Sequence, residues 1–193
     1  MPIKQVEQQD IQSIHRIRTR IVKNRTALIN EIRGLCLEYG VVLTPGAARV
    51  KPSLCIAIAD VDNELTPSSR ESMQDLHDEL VDVECRLKKL DTKIRQLCRQ
   101  NENCKRILKI PGVGDLTATA IVAAVPNPKE FRNSRHMSAW LGLVPRQSSS
   151  GDKQVLLGIS KRGGRYLRTL LIHGARAVLS HYKALDNDYA HWV

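Results

Sequence analysis

TPSSRESMQDLHDELVDVECRLKKLDTKIRQLCRQ, residues 66–100, is the most regularly patterned segment of this chain. Its apolar side chains recur in alternating steps of three and four residues, the heptad pattern of a coiled-coil helix. They are Met73, Leu76, Leu80, Val83, Leu87, Leu90, Ile94 and Leu97. Thr66 suits the N-cap and Pro67 the first helical position. The segment predicts one long helix, whose partner is either the preceding helix folded back or a second copy of the chain.

A long helix is also predicted upstream, over residues 7–39. Its apolar stripe repeats at steps of three, four and seven residues. The stripe contains Ile11, Ile14, Ile21, Leu28, Ile32 and Leu35. Gly40 follows as a C-cap, and the proline and glycine residues of the segment 41–52 then break the pattern. A short apolar helix is expected over 53–61.

The composition of the 193-residue chain excludes several classes of protein. With 42% hydrophobic and 26% charged residues, the chain is too apolar to be disordered and too charged for a membrane protein. No window approaches the roughly 18 uninterrupted apolar residues of a membrane-spanning helix. The N-terminus lacks the apolar core of a signal peptide. We therefore expect a cytoplasmic protein without a membrane partner.

The residues that could bind metal do not form a recognisable site in the sequence. The five cysteines are an odd number, and no two are spaced as CxxC. We expect reduced thiols that serve as small apolar fillers, and no zinc site. The acidic run Asp60, Asp62 and Glu64 is interpreted as a solvated turn. No metal ligand is predicted in this chain.

The net charge points to a polyanionic partner. The chain carries 30 basic and 20 acidic side chains, a formal charge of +10, and its pI is about 9.6. Residues 51–110 are balanced, with 11 of each sign, whereas residues 111–193 carry 11 basic and 5 acidic side chains. We therefore expect the polyanion to meet the two ends of the chain. An aromatic content of 4% argues against a platform that stacks single-stranded bases.

Ile-Pro-Gly-Val-Gly, residues 110–114, is the first candidate binding motif. A proline and two glycines favour a tight turn, and the Ala-rich helix expected from near Leu116 would direct its free N–H groups at a ligand. The motif resembles the helix-hairpin-helix of DNA-binding proteins, in which turn amides hold a phosphate without reading sequence. Gly112, Val113 and Gly114 are therefore candidate phosphate contacts. The alternative is an ordinary connection within a helical core.

The second candidate is the stretch from 142 to 168, where three serines lie among basic side chains. A serine hydroxyl in a flexible positive loop can attack a phosphodiester while cations stabilise the developing charge. The basic side chains are Arg146, Lys153, Lys161, Arg162, Arg165 and Arg168. The composition also fits a flexible linker whose cations only hold phosphates. From the residues alone, the binding role is the stronger interpretation.

The start of the last helix decides which of these cations act together. If the helix begins by about residue 161, Lys161, Arg165 and Arg168 share one face. If it begins at Gly164, Lys161 and Arg162 come from the preceding turn. Basic side chains at a helix start oppose the helix dipole, so their presence favours ligand binding over helix stability. Both versions place a basic cluster beside the serines.

Three segments together resemble a known family, and the resemblance covers nearly the whole chain. They are EQQDIQSIHRIRTRIVKNRTALINEIRGLCLEYG, ILKIPGVGDLTATAIVAAV and FRNSRHMSAWLGLVPRQSSSGDKQVLLGISKRGGRYLRTLLIHGAR. The chain resembles the C-terminal two thirds of insertion-sequence transposases related to the Piv invertase, the bridge-RNA-guided transposases with a DEDD catalytic domain. The blocks GLVPR, SSG, GISKRG and YLR, in order and at close spacing, are the most specific part.

No alternating run of Val, Ile and Thr is long enough for a sheet, and at most residues 155–159 form a short strand, so the residues indicate a mainly α fold. Together with the resemblance, this predicts long antiparallel coiled-coil helices followed by a small helical transposase domain that contains the helix-hairpin-helix. We expect an N-terminal helix and linker over 1–50, a coiled-coil segment over 51–104 and the transposase domain over 105–193. Within that domain, the resemblance and the motifs give a helix-hairpin-helix at about 105–125, a serine loop at 145–160 and a basic helix at 161–185.

The resemblance also implies a chemistry. In the family, the serine before the glycine of an SG pair acts as nucleophile on DNA and forms a covalent phosphoserine link. That position is Ser150 here, with Ser149 as the runner-up. The implied function is that of a DNA transposase or recombinase of an insertion sequence. The implied partners are DNA, a guide RNA and further copies of the chain bound through the coiled coil.

One family feature does not carry over to any residue of this sequence. The RuvC-like domain, whose four acidic residues bind Mg²⁺, would lie upstream of Met1. We therefore expect a truncated transposase, and whether the chain alone is an enzyme stays open. One alternative is a non-catalytic coiled-coil remnant that binds DNA or RNA. A basic coiled-coil scaffold without a nucleic-acid role is the third interpretation.

Overall fold

The structure is a computed structural model, and it describes residues 5–125, 127–150 and 153–181. Across these residues the chain is mainly helical, as predicted, with one two-stranded antiparallel sheet. The internal contacts define two compact units. We call residues 13–93 the long-helix unit, and residues 1–12 with 94–193 the terminal unit. The domain boundaries at 50 and 104 that the sequence indicates stay a prediction.

The long-helix unit is built from three helices. They are α1 (Val6–Glu38), α2 (Val50–Ala59) and α3 (Pro67–Gln100), with a 3-10 turn at Ala47–Arg49. All three helices were expected from the sequence. Thr66 caps α3 as predicted, because its Oγ1 accepts the Ser69 N–H at 3.1 Å. Gly40 has φ 71°, the left-handed conformation that suits a C-cap.

Three side-chain contacts fix an antiparallel register between α1 and α3. They are Arg18–Asp91 at 2.5 Å, Arg25–Glu84 at 2.7 Å and Cys36–Met73 at 3.8 Å. From one contact to the next, α1 advances by the same number of residues as α3 goes back. The heptad helix therefore packs against the preceding helix of its own chain. Assembly with further copies stays a prediction.

The core of the long-helix unit combines buried side chains from all three helices. It contains Leu28, Ile29, Ile32, Cys36, Leu43, Val50, Leu54, Ala57, Met73 and Leu80. Burial of this apolar surface is the main stabilising contribution. Towards the middle of α3 the heptad side chains are only half-buried, as at Val83, Leu87 and Leu90.

In its described residues, the terminal unit contains four shorter α-helices, a 3-10 turn at Pro128–Glu130 and a β-ribbon. Its elements are α4 (Glu102–Ile107), α5 (Asp115–Ala124), α6 (Ser134–Leu141), β1 (Pro145–Ser150), β2 (Lys153–Ile159) and α7 (Arg165–His181). The first two turns of α1 also belong to this unit. Gln8 Nε2 donates to the Val122 carbonyl at 3.0 Å, and Gln12 Nε2 donates to the Ala123 carbonyl at 2.9 Å. The start of α1 is thus attached to the end of α5.

The serine stretch is not the loop that the sequence predicted over 145–160. It is strand β1, paired antiparallel with β2 so that Ser150 faces Lys153 and Pro145 faces Ile159. The register is irregular around Arg146. The apolar residues 155–159 form the short strand that the sequence allowed. A lone strand would leave its backbone groups unpaired, and the serine-rich segment supplies the partner.

The last helix begins at Arg165, so the second of the two sequence alternatives is correct. Lys161 has φ 56° and Gly163 has φ 101°, both outside the helical region. Lys161 and Arg162 therefore lie in the turn that precedes α7. Residues 182–185 of the predicted basic helix lie outside the described residues.

All five cysteines are free thiols. Cys36, Cys98 and Cys104 are buried fillers, as predicted, whereas Cys55 and Cys85 are exposed. Among the described residues, no group of three or more His, Cys, Asp or Glu side chains could hold a metal ion. None of the described helices is both long enough and apolar enough to cross a membrane.

Candidate functional site

The β-ribbon is anchored at its base to the end of α6. The Ser160 N–H donates to the Val144 carbonyl at 2.8 Å, and the Lys161 N–H donates to the Gly142 carbonyl at 3.0 Å. These bonds continue the pairing of the two strands beyond the ribbon. The turn at 160–163 therefore has a fixed position relative to α6.

Two glycines allow this turn to approach α6 at backbone distance. Gly142 has φ 70°, and a Cβ built on it would lie 2.6 Å from the Arg162 nitrogen. Gly163 has φ 101°, and a Cβ there would collide with the Trp140 carbonyl oxygen. Both positions need a residue without a side chain. Gly142 of the GLVPR block and Gly163 of the GISKRG block are thus explained by packing at the base of the ribbon.

Arg168 connects the same three elements from inside the protein. It is 7% exposed, and its Nη1 donates to the Leu141 carbonyl at 2.9 Å and to the Gly163 carbonyl at 3.5 Å. A buried guanidinium with carbonyl partners has a structural role and does not face a phosphate. This corrects the sequence interpretation, which counted Arg168 among the binding cations. Helical spacing alone does not show which of two nearby arginines points inward.

The remaining cations of the predicted cluster are exposed at the base of the ribbon. Lys161, Arg162 and Arg165 are exposed, and so is Arg146 at the irregular position of β1. We call these four residues the base cations. They place four positive charges around one end of the ribbon, where a polyanion can reach them. The side chain of Lys153 lies outside what the structure describes.

Ser150 lies at the other end of the ribbon. It is the last residue of β1 and is exposed, next to residues 151–152, which lie outside the described residues. A strand rises about 3.3 Å per residue, so the five steps from Pro145 carry Ser150 roughly 17 Å from the base. The predicted proximity of the serine to the whole basic cluster is therefore incorrect. The side chain of Ser149, the runner-up, is not described.

Apolar side chains on β2 are exposed, a feature that the sequence interpretation missed. Leu156 is 70% exposed, Leu157 44% and Val155 39%. Successive strand residues point to opposite faces, so both faces of the ribbon carry uncovered apolar surface. Clustered exposed apolar surface marks an interaction site more often than an ordinary solvated face. The available signal in the sequence was the run of three apolar residues at 155–157 beside a polar, serine-rich segment.

The predicted phosphate turn is partly occupied by the protein itself. Gly112 has φ 79°, and a Cβ on it would lie 2.5 Å from the Gly174 carbonyl oxygen and 2.8 Å from Val178 Cγ2. The glycine therefore serves the close approach of the turn to α7. Val113 is half-buried and packs against the cluster around Ala118. The helix-hairpin-helix stays a prediction for this segment.

The N-terminus of α5 is the part of this motif still open to a ligand. Gly114 is its exposed N-cap and provides no side-chain hydrogen bond. The first helical residue, Asp115, already places a carboxylate at the positive end of the helix dipole. Arg95 offsets that charge at 3.7 Å. The acidic side chain opposes phosphate binding here, so the base cations are the stronger candidate contact.

Comparison with known proteins gives a consistent relationship. Residues 104–190 match the family described as Transposase IS116/IS110/IS902 family. The chain is 47% identical over 190 residues to the transposase for insertion sequence element IS1111A of Coxiella burnetii, and the alignment covers 98% of this chain and 52% of that protein. It is 31% identical over 187 residues to the transposase for insertion sequence element IS1328 of Yersinia enterocolitica, and the alignment covers 97% of this chain and 55% of that protein. The chain spans about half the length of the curated relatives it matches.

Proposed function

Because this chain is similar along almost its whole length to insertion-sequence transposases, we propose that it acts in DNA transposition, binding DNA and supplying a serine nucleophile for strand cleavage and exchange. That similarity is the observation that carries the proposal. Two features of the described residues support it. A serine is exposed at the outer end of a ribbon, and four cations are exposed at its base.

Ser150 is the proposed nucleophile. Its Oγ would attack phosphorus, forming a Ser150 Oγ–P bond as one P–O bond of the strand breaks and the serine proton ends on the leaving oxygen. The reverse step, with a different strand end, completes the exchange. An exposed serine at the end of a ribbon can enter a groove that a flat protein surface cannot. The assignment of Ser150 rests on the family pattern, and its exposure at the end of β1 supports it.

The base cations are the proposed contacts to the DNA backbone. Their distance from Ser150 gives them a defined place on the DNA, because B-DNA rises about 3.4 Å per base pair and roughly 17 Å corresponds to about five base pairs. Lys161, Arg162 and Arg165 would then hold phosphates about five base pairs from the cleaved bond, and Arg146, one residue nearer to Ser150, about four base pairs from it. Such contacts position the duplex and carry no sequence information.

Further family properties are proposals for the whole protein. We propose that a guide RNA selects the target, that copies of the chain assemble, and that Mg²⁺ takes part. The described part of this chain offers Mg²⁺ no set of three or more His, Cys, Asp or Glu ligands. Asp60, for example, uses its carboxylate to accept the Asp62 N–H at 3.0 Å.

A covalent-trapping assay tests the role of the serine. The chain is incubated with labelled insertion-end DNA, with and without a full-length homologue and its RNA, and the products are separated on a denaturing gel. We expect a shifted protein–DNA band that Ser150→Ala abolishes. Ser148→Ala is the matched control, because Ser148 is exposed on the same strand. A band that persists in Ser150→Ala would refute the assignment.

The second candidate function is DNA binding without catalysis by this chain. The distance between Ser150 and the base cations favours it, because an alkoxide at the outer end of the ribbon gains little from charges roughly 13–17 Å away. The same assay separates the two. Salt-sensitive DNA binding with no covalent band under either condition would support binding alone.

A further inference from the structure

Four side chains form a hydrogen-bonded network on the surface of the long-helix unit. Cys55 Sγ, on α2, lies 3.4 Å from His77 Nε2, on α3. His77 Nδ1 lies 3.0 Å from Asp78 Oδ1. Gln74 Nε2 donates to the same Asp78 oxygen at 3.0 Å. Neither the core of this unit nor the proposed DNA contacts use this group.

The direction of the hydrogen bonds follows from the aspartate end. An ionised carboxylate only accepts, so His77 Nδ1 donates to Asp78. In the neutral imidazole, Nε2 is then an acceptor, and the Cys55 thiol donates to it. A nucleophile beside a base, with a third group that orients the base, is the arrangement that activates cysteine. Cys55 is also exposed, so a reagent can reach the sulfur.

We propose that Cys55 is an activated thiol and a site of reversible modification by low-molecular-weight disulfides. As the sulfur attacks, the thiol proton passes to His77 Nε2. A bond forms between Cys55 Sγ and one reagent sulfur, and the S–S bond of the reagent breaks. The leaving thiolate takes the proton from His77. The Cys55 sulfur is oxidised and the departing sulfur is reduced, so no other reactant is needed.

The other four cysteines provide internal controls. Cys36, Cys98 and Cys104 are each 0% exposed. Burial raises the pKa of the Cys36 thiol, and burial together with the nearby Cys104 raises the pKa of Cys98 to about 12. Cys85 is exposed like Cys55, but no described residue forms a hydrogen bond with it. The comparison of Cys55 with Cys85 therefore isolates the effect of His77 from that of exposure.

The test measures thiol reaction rates in the folded full chain with 5,5′-dithiobis(2-nitrobenzoic acid). Cys85→Ser reports the Cys55 rate, and Cys55→Ser reports the Cys85 rate. We expect Cys55 to react about tenfold faster than Cys85. This is less than the roughly 100-fold acceleration that a general base gives in an enclosed site, because the Cys55–His77 pair is open to solvent. His77→Gln should bring the Cys55 rate down to that of Cys85 without changing the Cys85 rate. With glutathione disulfide, peptide mass spectrometry should place the adduct on Cys55, and dithiothreitol should remove it.

Equal rates for Cys55 and Cys85 in the two single-serine variants with His77 intact would overturn the proposal. An unchanged Cys55 rate after His77→Gln would overturn it as well. Circular dichroism confirms that each variant keeps its helix content. If His77→Gln loses helix, Asp78→Asn serves instead, because the Asp78 side chain is 67% exposed and its replacement leaves the core intact. An Asp78→Asn variant with both rates unchanged would likewise count against the activated thiol.

Discussion

Replacing three of the base cations should reduce the salt dependence of DNA binding by a calculable amount. The variant is Lys161→Gln, Arg162→Gln and Arg165→Gln together. Each phosphate that a cation neutralises adds about 0.9 to the slope of log affinity against log salt on duplex DNA, so removing three such cations should lower the slope by about 2.7. Between 50 and 200 mM salt, the affinity of the parent chain should therefore fall by a factor about 40 times larger than that of the variant. On single-stranded DNA the slope should change by about 2.1, because the factor per phosphate is about 0.7.

Fluorescence anisotropy of labelled insertion-end duplex, titrated at several salt concentrations, measures both slopes. The matched control removes three exposed cations from α3 as Lys88→Gln, Lys89→Gln and Arg99→Gln. Both variants carry the same net charge, so a general charge effect would change their slopes equally. We expect the control to keep the slope of the parent chain. Equal slopes for the two variants, or a fall of less than about one unit in the base variant, would refute the placement of the DNA contacts.

Three stability predictions follow from the packing. Arg168→Met should cost about 1–3 kcal/mol, because it leaves two carbonyls without a donor, whereas Arg165→Met should leave urea unfolding nearly unchanged. Gly112→Ala should lower the melting temperature, because φ is 79° at this position and the added Cβ would lie 2.5 Å from the Gly174 carbonyl oxygen. Gly114→Ala serves as the control, since a Cβ there meets open space. Equal melting temperatures for the two variants would contradict this packing. Burial and the neighbouring Arg18 lower the pKa of His15 in the folded protein to about 4, whereas the unfolded chain keeps the ordinary value of 6.5. Between pH 4 and pH 6.5, the unfolded state therefore binds more protons than the folded state. Stability should therefore be full above pH 6.5 and fall by about 3 kcal/mol as the pH drops to about 4, and His15→Gln should lose this part of the pH dependence in urea unfolding.

The long helices could be predicted because their information is periodic and local. The apolar stripes of α1 and α3 repeat with the helical period, and their ends carry residues with clear conformational preferences, such as Thr66 and Gly40. The pairing of the two helices was left open by the sequence. A heptad stripe fits any complementary stripe, and only the register of the observed contacts identifies the partner.

The β-ribbon and the role of Arg168 could not be predicted in the same way. The serines of β1 have weak strand preference by themselves, and they are in a strand because β2 offers backbone partners. Arg168 looks like a surface cation in the sequence, since its burial depends on carbonyls of two other segments. The assignment of Ser150 came from family resemblance and not from composition, which favoured a linker.

The antiparallel register of α1 and α3 makes the long-helix unit an insertion within the terminal unit. The chain leaves the terminal unit after residue 12 and returns to it at residue 94, and Arg18–Asp91 lies just beyond that junction. Removing one heptad from each helix at matching heights would shorten the unit and keep the junction unchanged. Removing a heptad from one helix alone would shift every later contact by about two turns, since each turn holds about 3.6 residues. The length of this unit can therefore change only in matched pairs of segments, one in each long helix.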